Sequence, residues 1–286
     1  MDTTQAGETY GSASYAMSDG LRIAYVSAGS GEPLVFLNGV GSTKEIWRYQ
    51  FDALASSFRC IAFDYRGYGD SEIPPPDCLR LEACEDKSIS RAAFARDAFA
   101  VMQACGVDAA HLCGCSLGGV IALECYRQAR ACVRTLTLVD SFACYPHGLE
   151  TIGERIGTLV SLGMEAFAQS RGPGVLGPHA ALPNLERVRE QMSSIPLAVY
   201  AAATQATWTG DYRELLPRIA APTLVVWGEH DTIIAPRELS EELTAKIPTA
   251  APLVIVPAAG HLPNVDNPEF FNAALSSFLR RPARGA

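Results

Sequence analysis

The chain has 286 residues, 48% of them apolar, and a formal net charge of -8. That length and apolar content suit one large buried core, and the acidic balance argues against nucleic acid or another polyanion as a partner. No run of about 18 apolar residues is present, so no membrane span is expected. Residues 1–10 lack the basic and apolar stretches of a secretory leader. The nine cysteines are odd in number and sit mostly within apolar stretches. They read as small hydrophobes in a reduced, cytoplasmic protein. Cys113-x-Cys115 is too narrow, and lacks the second pair, for a zinc site, so no metal is expected. Cys78 and Cys84 share an acidic, proline-rich loop in which a local disulfide remains open.

In chain order, residues 9–15 and 21–27 read as a hairpin about Asp19-Gly20. Leu34 to Leu37 is a short continuous apolar run, the pattern of a buried parallel strand. Lys44 to Ser56 is helical, and Cys60 to Phe63 is the next strand. It leads into Asp64-x-Arg66-Gly67-x-Gly69-x-Ser71, a glycine-containing segment without the Gly-Lys-Ser/Thr ending of a phosphate loop. Asp64 and Arg66 therefore read as structural braces. Ser88 to Cys105 is an amphipathic helix capped by Ser88 or Ser90. A strand ending near Cys115, a helix from Leu117 to Arg130 and a strand from Thr135 to Val139 follow. From Cys144 to about Tyr212 strand signals stop, and helical stretches remain (151–169, 185–193 and 197–207). Strands return at Thr223 to Trp227 and Leu253 to Val256, before a closing helix from Pro268 to Arg280. The alternation implies a mostly parallel sheet covered on both faces. The expected organisation is a core of 1–143 and 213–286 with a helical cap of 144–212.

Gly114-Cys115-Ser116-Leu117-Gly118 lies where the apolar run at 111–113 gives way to a helical pattern. A serine at so tight a strand-to-helix turn is pushed out with its hydroxyl exposed, and only small neighbours fit around it. This G-x-S-x-G pattern is the nucleophile elbow of the α/β-hydrolase fold. A serine hydroxyl is a weak nucleophile without a base. Of the five histidines, His261 follows Gly260 just after the last strand and is the expected base. His111 precedes the nucleophile strand, His147 and His179 fall in or near the cap, and His230 adjoins Asp231. Asp231, after the strand at 223–227, is the expected orienting acid, and the order Ser116, Asp231, His261 is the chain order of this fold. Asp140, at the end of the preceding strand, and Glu229 are the rivals. The backbone N–H groups of Leu117 and Val40, the latter in Asn38-Gly39-Val40-Gly41, are the expected oxyanion donors. Asn38, Trp47, Phe142 and Trp208 are candidate pocket residues. Arg155 and Arg171 read first as solvated charges, with pairing to a substrate carboxylate as the alternative.

Together these motifs resemble the α/β-hydrolase superfamily along nearly the whole chain, and within it the 3-oxoadipate enol-lactonase group. The likeness rests on Leu37-Asn38-Gly39-Val40-Gly41-Ser42, Gly163-Met164-Glu165-Ala166 and Ala259-Gly260-His261-Leu262-Pro263-Asn264-Val265. It departs at Gln169-Ser170-Arg171, where that group carries an Arg-Trp-Phe-like segment. The resemblance implies hydrolysis of a small-molecule ester or lactone through an acyl-enzyme, with no cofactor. Two other functions fit less well. A carbon–carbon bond hydrolase would show Asn in place of Cys115. A triad-bearing receptor would bind a small molecule with little turnover.

Overall fold

Asp19 and Gly20 both adopt positive φ, 49° and 78°, the geometry of a two-residue hairpin turn. They join β1 (Ser14–Ser18) to β2 (Leu21–Ala28) in antiparallel pairing. The first strand thus runs right up to the turn, later than the 9–15 expected. The structure is a computed structural model and describes residues 10–79 and 89–280, without the side chains of 78 and 79. The leader reading of residues 1–10 (all but Tyr10), the Cys78–Cys84 pairing and the Ser88 cap fall outside what is described.

β3 (Glu32–Leu37) is followed by a 3-10 turn, Lys44–Trp47, and α1 (Arg48–Leu54). Next come β4 (Phe58–Phe63), α2 (Arg91–Ala104), β5 (Ala110–Cys115), α3 (Leu117–Gln128) and β6 (Val133–Val139). Ser90 caps α2, its side chain accepting from the Ala93 N–H at 3.1 Å, which fills one of the donors a helix start leaves open. The chain then forms α4 (Gly148–Val175), α5 (Leu182–Ser194) and α6 (Leu197–Trp208). It closes with β7 (Thr223–Gly228), α7 (Arg237–Lys246), β8 (Val254–Val256), α8 (Pro263–Asp266) and α9 (Pro268–Leu279).

The strands form one sheet in the order β1-β2-β4-β3-β5-β6-β7-β8, parallel from β4 onward. All six residues of β5 and of β7 are buried, as expected for strands covered on both faces. The helical insertion leaves the sheet after β6 and returns before β7. Its two ends meet where Cys144 bridges Asp211 and the Tyr212 N–H donates to the Ala143 carbonyl at 2.8 Å. That junction holds α4–α6 over the carboxyl ends of the strands.

The loop after β4 is braced by buried charge. Asp64 accepts from the Lys44 backbone N–H (2.7 Å) and from Lys44 Nζ (2.8 Å). Arg66, fully buried, forks onto Asp97 on α2 (2.6 and 3.0 Å) and reaches Asp19 at 2.8 Å. Bidentate pairing of this kind satisfies a guanidinium that would otherwise be prohibitive to bury.

Candidate active site

Ser116 joins β5 to α3 with φ 56° and ψ -118°, a conformation that side-chain-bearing residues rarely adopt and that carries strain of order 1–3 kcal/mol. Three glycines around the turn leave no room for a side chain. A Cβ on Gly114 would overlap the Gly118 carbonyl, one on Gly118 would overlap the Leu37 carbonyl, and one on Gly119 would meet the Ser141 hydroxyl. The elbow is thus pressed against the end of β3 and the start of the segment after β6. Ser141 also donates its hydroxyl proton to the Ser116 carbonyl at 2.9 Å. Cys115, next in chain, is 1% exposed, and burial pushes its thiol well above its ordinary range. It stays a neutral hydrophobe, its Sγ directed at the His261 carbonyl (3.5 Å).

His261 follows β8 and shares one cavity with Ser116. Its backbone N–H donates to the Val175 carbonyl at 2.8 Å, so the end of α4 helps hold it. Its ring Nδ1 lies 2.6 Å from Asp231 Oδ2. Asp231 also accepts from the backbone N–H groups of Ile234 and Ala235 at 3.2 Å. Burial pushes its carboxyl up, but the imidazole charge and these hydrogen bonds outweigh it and hold Asp231 below the ordinary carboxylate range.

Asp140, fully buried, accepts from the Gly228 N–H (3.0 Å) and lies against Asp231. Burial, and then the Asp231 charge, push it well above the ordinary range. Two carboxyl groups in one dry space cannot both ionise cheaply, so Asp140 is the neutral member and Asp231 the charged one. Glu229 and His230 are exposed, and Glu229 accepts from the Ala258 N–H instead (2.9 Å). His147 and His179 are exposed too. His111 is buried between Thr135 (2.9 Å) and Glu32 (3.3 Å), away from the cavity.

The loop after β3 forms the cavity floor through Gly39, Val40, Gly41 and Ser42. The Gly39 carbonyl accepts from the Ser42 N–H at 3.2 Å. In a trans peptide the next N–H points the opposite way, so the Val40 N–H is turned from that turn. Leu117 is the first residue of α3, where an N–H has no partner within the helix.

The candidate pocket residues divide. Trp208 lines the cavity. Asn38 and Trp47 do not: Trp47 Nε1 donates to Asn38 Oδ1 (2.9 Å), Asn38 Nδ2 donates to the Phe63 carbonyl (2.7 Å), and both residues are fully buried behind the loop. They anchor the loop that carries Val40. Phe142 packs against Tyr145 and Trp208 and backs the wall. The helical insertion supplies lining that the sequence reading passed over, in Val188 and Met192 of α5 and Tyr200 of α6, together with Ile234 after β7. Arg155 and Arg171 also line the cavity, contrary to their first reading as solvated charges. The cavity that these side chains leave is narrow, about 30 Å³.

The alpha/beta hydrolase family model matches residues 34–274. The chain belongs to that family. Its relatives include RutD of Azorhizobium caulinodans, named for carbamate hydrolysis, 29% identical over 92% of this chain and 97% of its own length. They also include 3-oxoadipate enol-lactonase 1 of Acinetobacter baylyi, 26% identical over 86% of this chain and 88% of its own. Among solved structures, a thermophilic esterase of Thermogutta terrifontis superposes with a TM-score of 0.82 at 26% identity, covering 94% of this chain and 98% of its own. This member of the family has, among its described residues, no cluster of three His, Cys, Asp or Glu side chains that could hold a metal ion. Among the same residues, no helix is long and apolar enough to cross a membrane.

Proposed function

We propose that the protein hydrolyses a small-molecule carboxylic ester or lactone through an acyl-enzyme on Ser116. The observation that carries this reading is the shared cavity of Ser116 and His261, with the far nitrogen of that imidazole bound to Asp231 at 2.6 Å. Asp231 fixes the tautomer that leaves Nε2 free to take the Ser116 proton. Ser116 Oγ attacks the carbonyl carbon, and the Leu117 and Val40 N–H groups hold the oxyanion, each such donor contributing roughly 3–4 kcal/mol. His261 then returns the proton to the leaving oxygen. In a lactone that oxygen stays tethered to the acyl group. Water, activated by the same imidazole, attacks the acyl-enzyme and frees Ser116. The relatives named for ester and lactone hydrolysis agree with this chemistry.

The test is a panel of p-nitrophenyl esters and lactones assayed with the wild type and Ser116→Ala. Turnover by the wild type and none by the variant is expected. Equal turnover by both overturns the reading.

A further inference from the structure

The loop that carries His261 lies between two other stretches of backbone, with no side chain to cushion them. On one side is the end of β7, which leads to Asp231. A Cβ on Gly228 would overlap the Gly260 carbonyl, and the His230 N–H donates to the Ala259 carbonyl at 2.8 Å. On the other side is the end of α4, part of the helical insertion. A Cβ on Gly260 would come within 2.6 Å of the Leu176 carbonyl carbon, and one on Gly177 would overlap the Ala258 carbonyl. The His261 N–H donates to the Val175 carbonyl at 2.8 Å. Backbone packed on backbone transmits a shift of one segment to the other.

Asp266 stitches the second of these contacts. It closes the short helix α8 that follows His261. Its Oδ2 accepts from the Gly177 N–H at 2.7 Å and from the Gly260 N–H at 2.8 Å. One donor belongs to the insertion, and the other directly precedes His261. Its Oδ1 is buried and has no hydrogen-bond partner among the described residues. A buried polar atom without a partner calls for an explanation. Here it is the cost of turning the carboxylate so that a single oxygen reaches two backbones.

The cavity over Ser116 is about 30 Å³, and Ser116 is 2% exposed. Small-molecule sites usually enclose about 300–1,000 Å³. A substrate therefore enters only when the insertion moves away, and that motion pulls on the His261 loop. We infer that Asp266 is a positioning residue, which ties the end of α4 to the His261 loop and sets the imidazole when the insertion closes over a substrate. The inference rests on the hydrolase reading above, and its test separates the two.

Asp266→Ala and Asp266→Asn are compared with the wild type on a p-nitrophenyl ester, well below the Tm of each. Asp266→Ala is expected to lower kcat by roughly tenfold to a hundredfold, the scale of a misplaced reacting group, with KM little changed. Asp266→Asn keeps an oxygen that can accept both N–H groups, more weakly than a carboxylate, and should recover most of the loss. An unchanged kcat in Asp266→Ala overturns the positioning role, whatever its Tm. Gly177→Ala strains the same link from the insertion side. Its kcat loss should not compound with that of Asp266→Ala, since changes at one link are not independent. Losses that multiply in the double variant overturn the link.

Hydrogen exchange reads the tie without turnover. Asp266→Ala should speed exchange in both 175–177 and 258–261 and leave β5 as protected as in the wild type. Gly177→Ala should do the same, and it decides the matter where Asp266→Ala does not fold. Faster exchange in only one of the two segments overturns the inference. If the wild type turns over no ester, the hydrolase reading fails, and exchange still decides whether Asp266 joins the two segments.

Discussion

The imidazole of His261 meets the carboxylate of Asp231 at 2.6 Å, with side-chain exposures of 7% and 2%. The two residues come from loops after different strands, β8 and β7, so only the parallel sheet brings them together. Asp231 is held below the ordinary carboxylate range chiefly against its own burial. It therefore contributes stability above its unfolded pKa of about 3.9 and loses it as pH falls through the lower folded value. Asp231→Asn keeps the shape but offers Nδ1 a group that favours the wrong tautomer. A loss of roughly 10⁴ in kcat is expected, the scale seen for the same change in another serine hydrolase. Steady-state kinetics on a p-nitrophenyl ester checks it.

Ser116 combines a reactive hydroxyl with a strained backbone. Ser116→Ala removes the nucleophile and keeps the strain, so turnover should fall by roughly 10⁶ with little change in Tm. Ser116→Gly removes both and is expected to be more stable than Ser116→Ala by about 1 kcal/mol. Urea unfolding of the two variants side by side measures the difference.

Much of this was legible because each group follows a strand end marked by an apolar run. Ser116, Asp231 and His261 all sit in such places, as does the loop carrying Val40. The features hidden from the sequence depend on where side chains turn. Asn38 and Trp47 lie near the loop in sequence, but their hydrogen bond points them behind it. Arg155 and Arg171 look like ordinary helix charges until the break at Gly163 folds α4 around them.

Gly118 couples the elbow to the oxyanion loop. A Cβ there would overlap the Leu37 carbonyl and approach the Asn38 carbonyl at 3.0 Å. Both neighbours are backbone, and neither can swing aside. Gly118→Ala is expected to lose about 1–3 kcal/mol of stability. It should also lower kcat, because the Leu117 and Val40 donors shift relative to each other. Denaturant unfolding and kinetics on the same sample test both halves.

Arg66 and Asp97 are fully buried partners. Arg66→Met strands the Asp97 carboxylate without its guanidinium, and a loss of about 3–5 kcal/mol is expected. Pairing Arg66→Met with Asp97→Leu removes both charges and should recover most of that loss. A double variant no more stable than the single one would show that the guanidinium matters through its other contacts, such as that to Asp19 (2.8 Å).

Asp140 makes the last prediction, and its sign runs opposite to that of Asp231. Its carboxyl titrates well above the ordinary range, first because it is buried and then because Asp231 is charged beside it. The native state therefore keeps a proton that the unfolded chain releases above about pH 4. Stability contributed by Asp140 is complete below that pH and declines as pH rises toward the folded pKa, by up to about 1.4 kcal/mol per unit. Asp140→Asn cannot titrate, and its amide can still donate toward Asp231. The variant should retain most of its turnover and lose this slope. Urea unfolding at a series of pH values, run with ester kinetics, separates the roles. If Asp140→Asn abolishes turnover while Asp231→Asn spares it, the orienting acid lies at the end of β6 and not after β7.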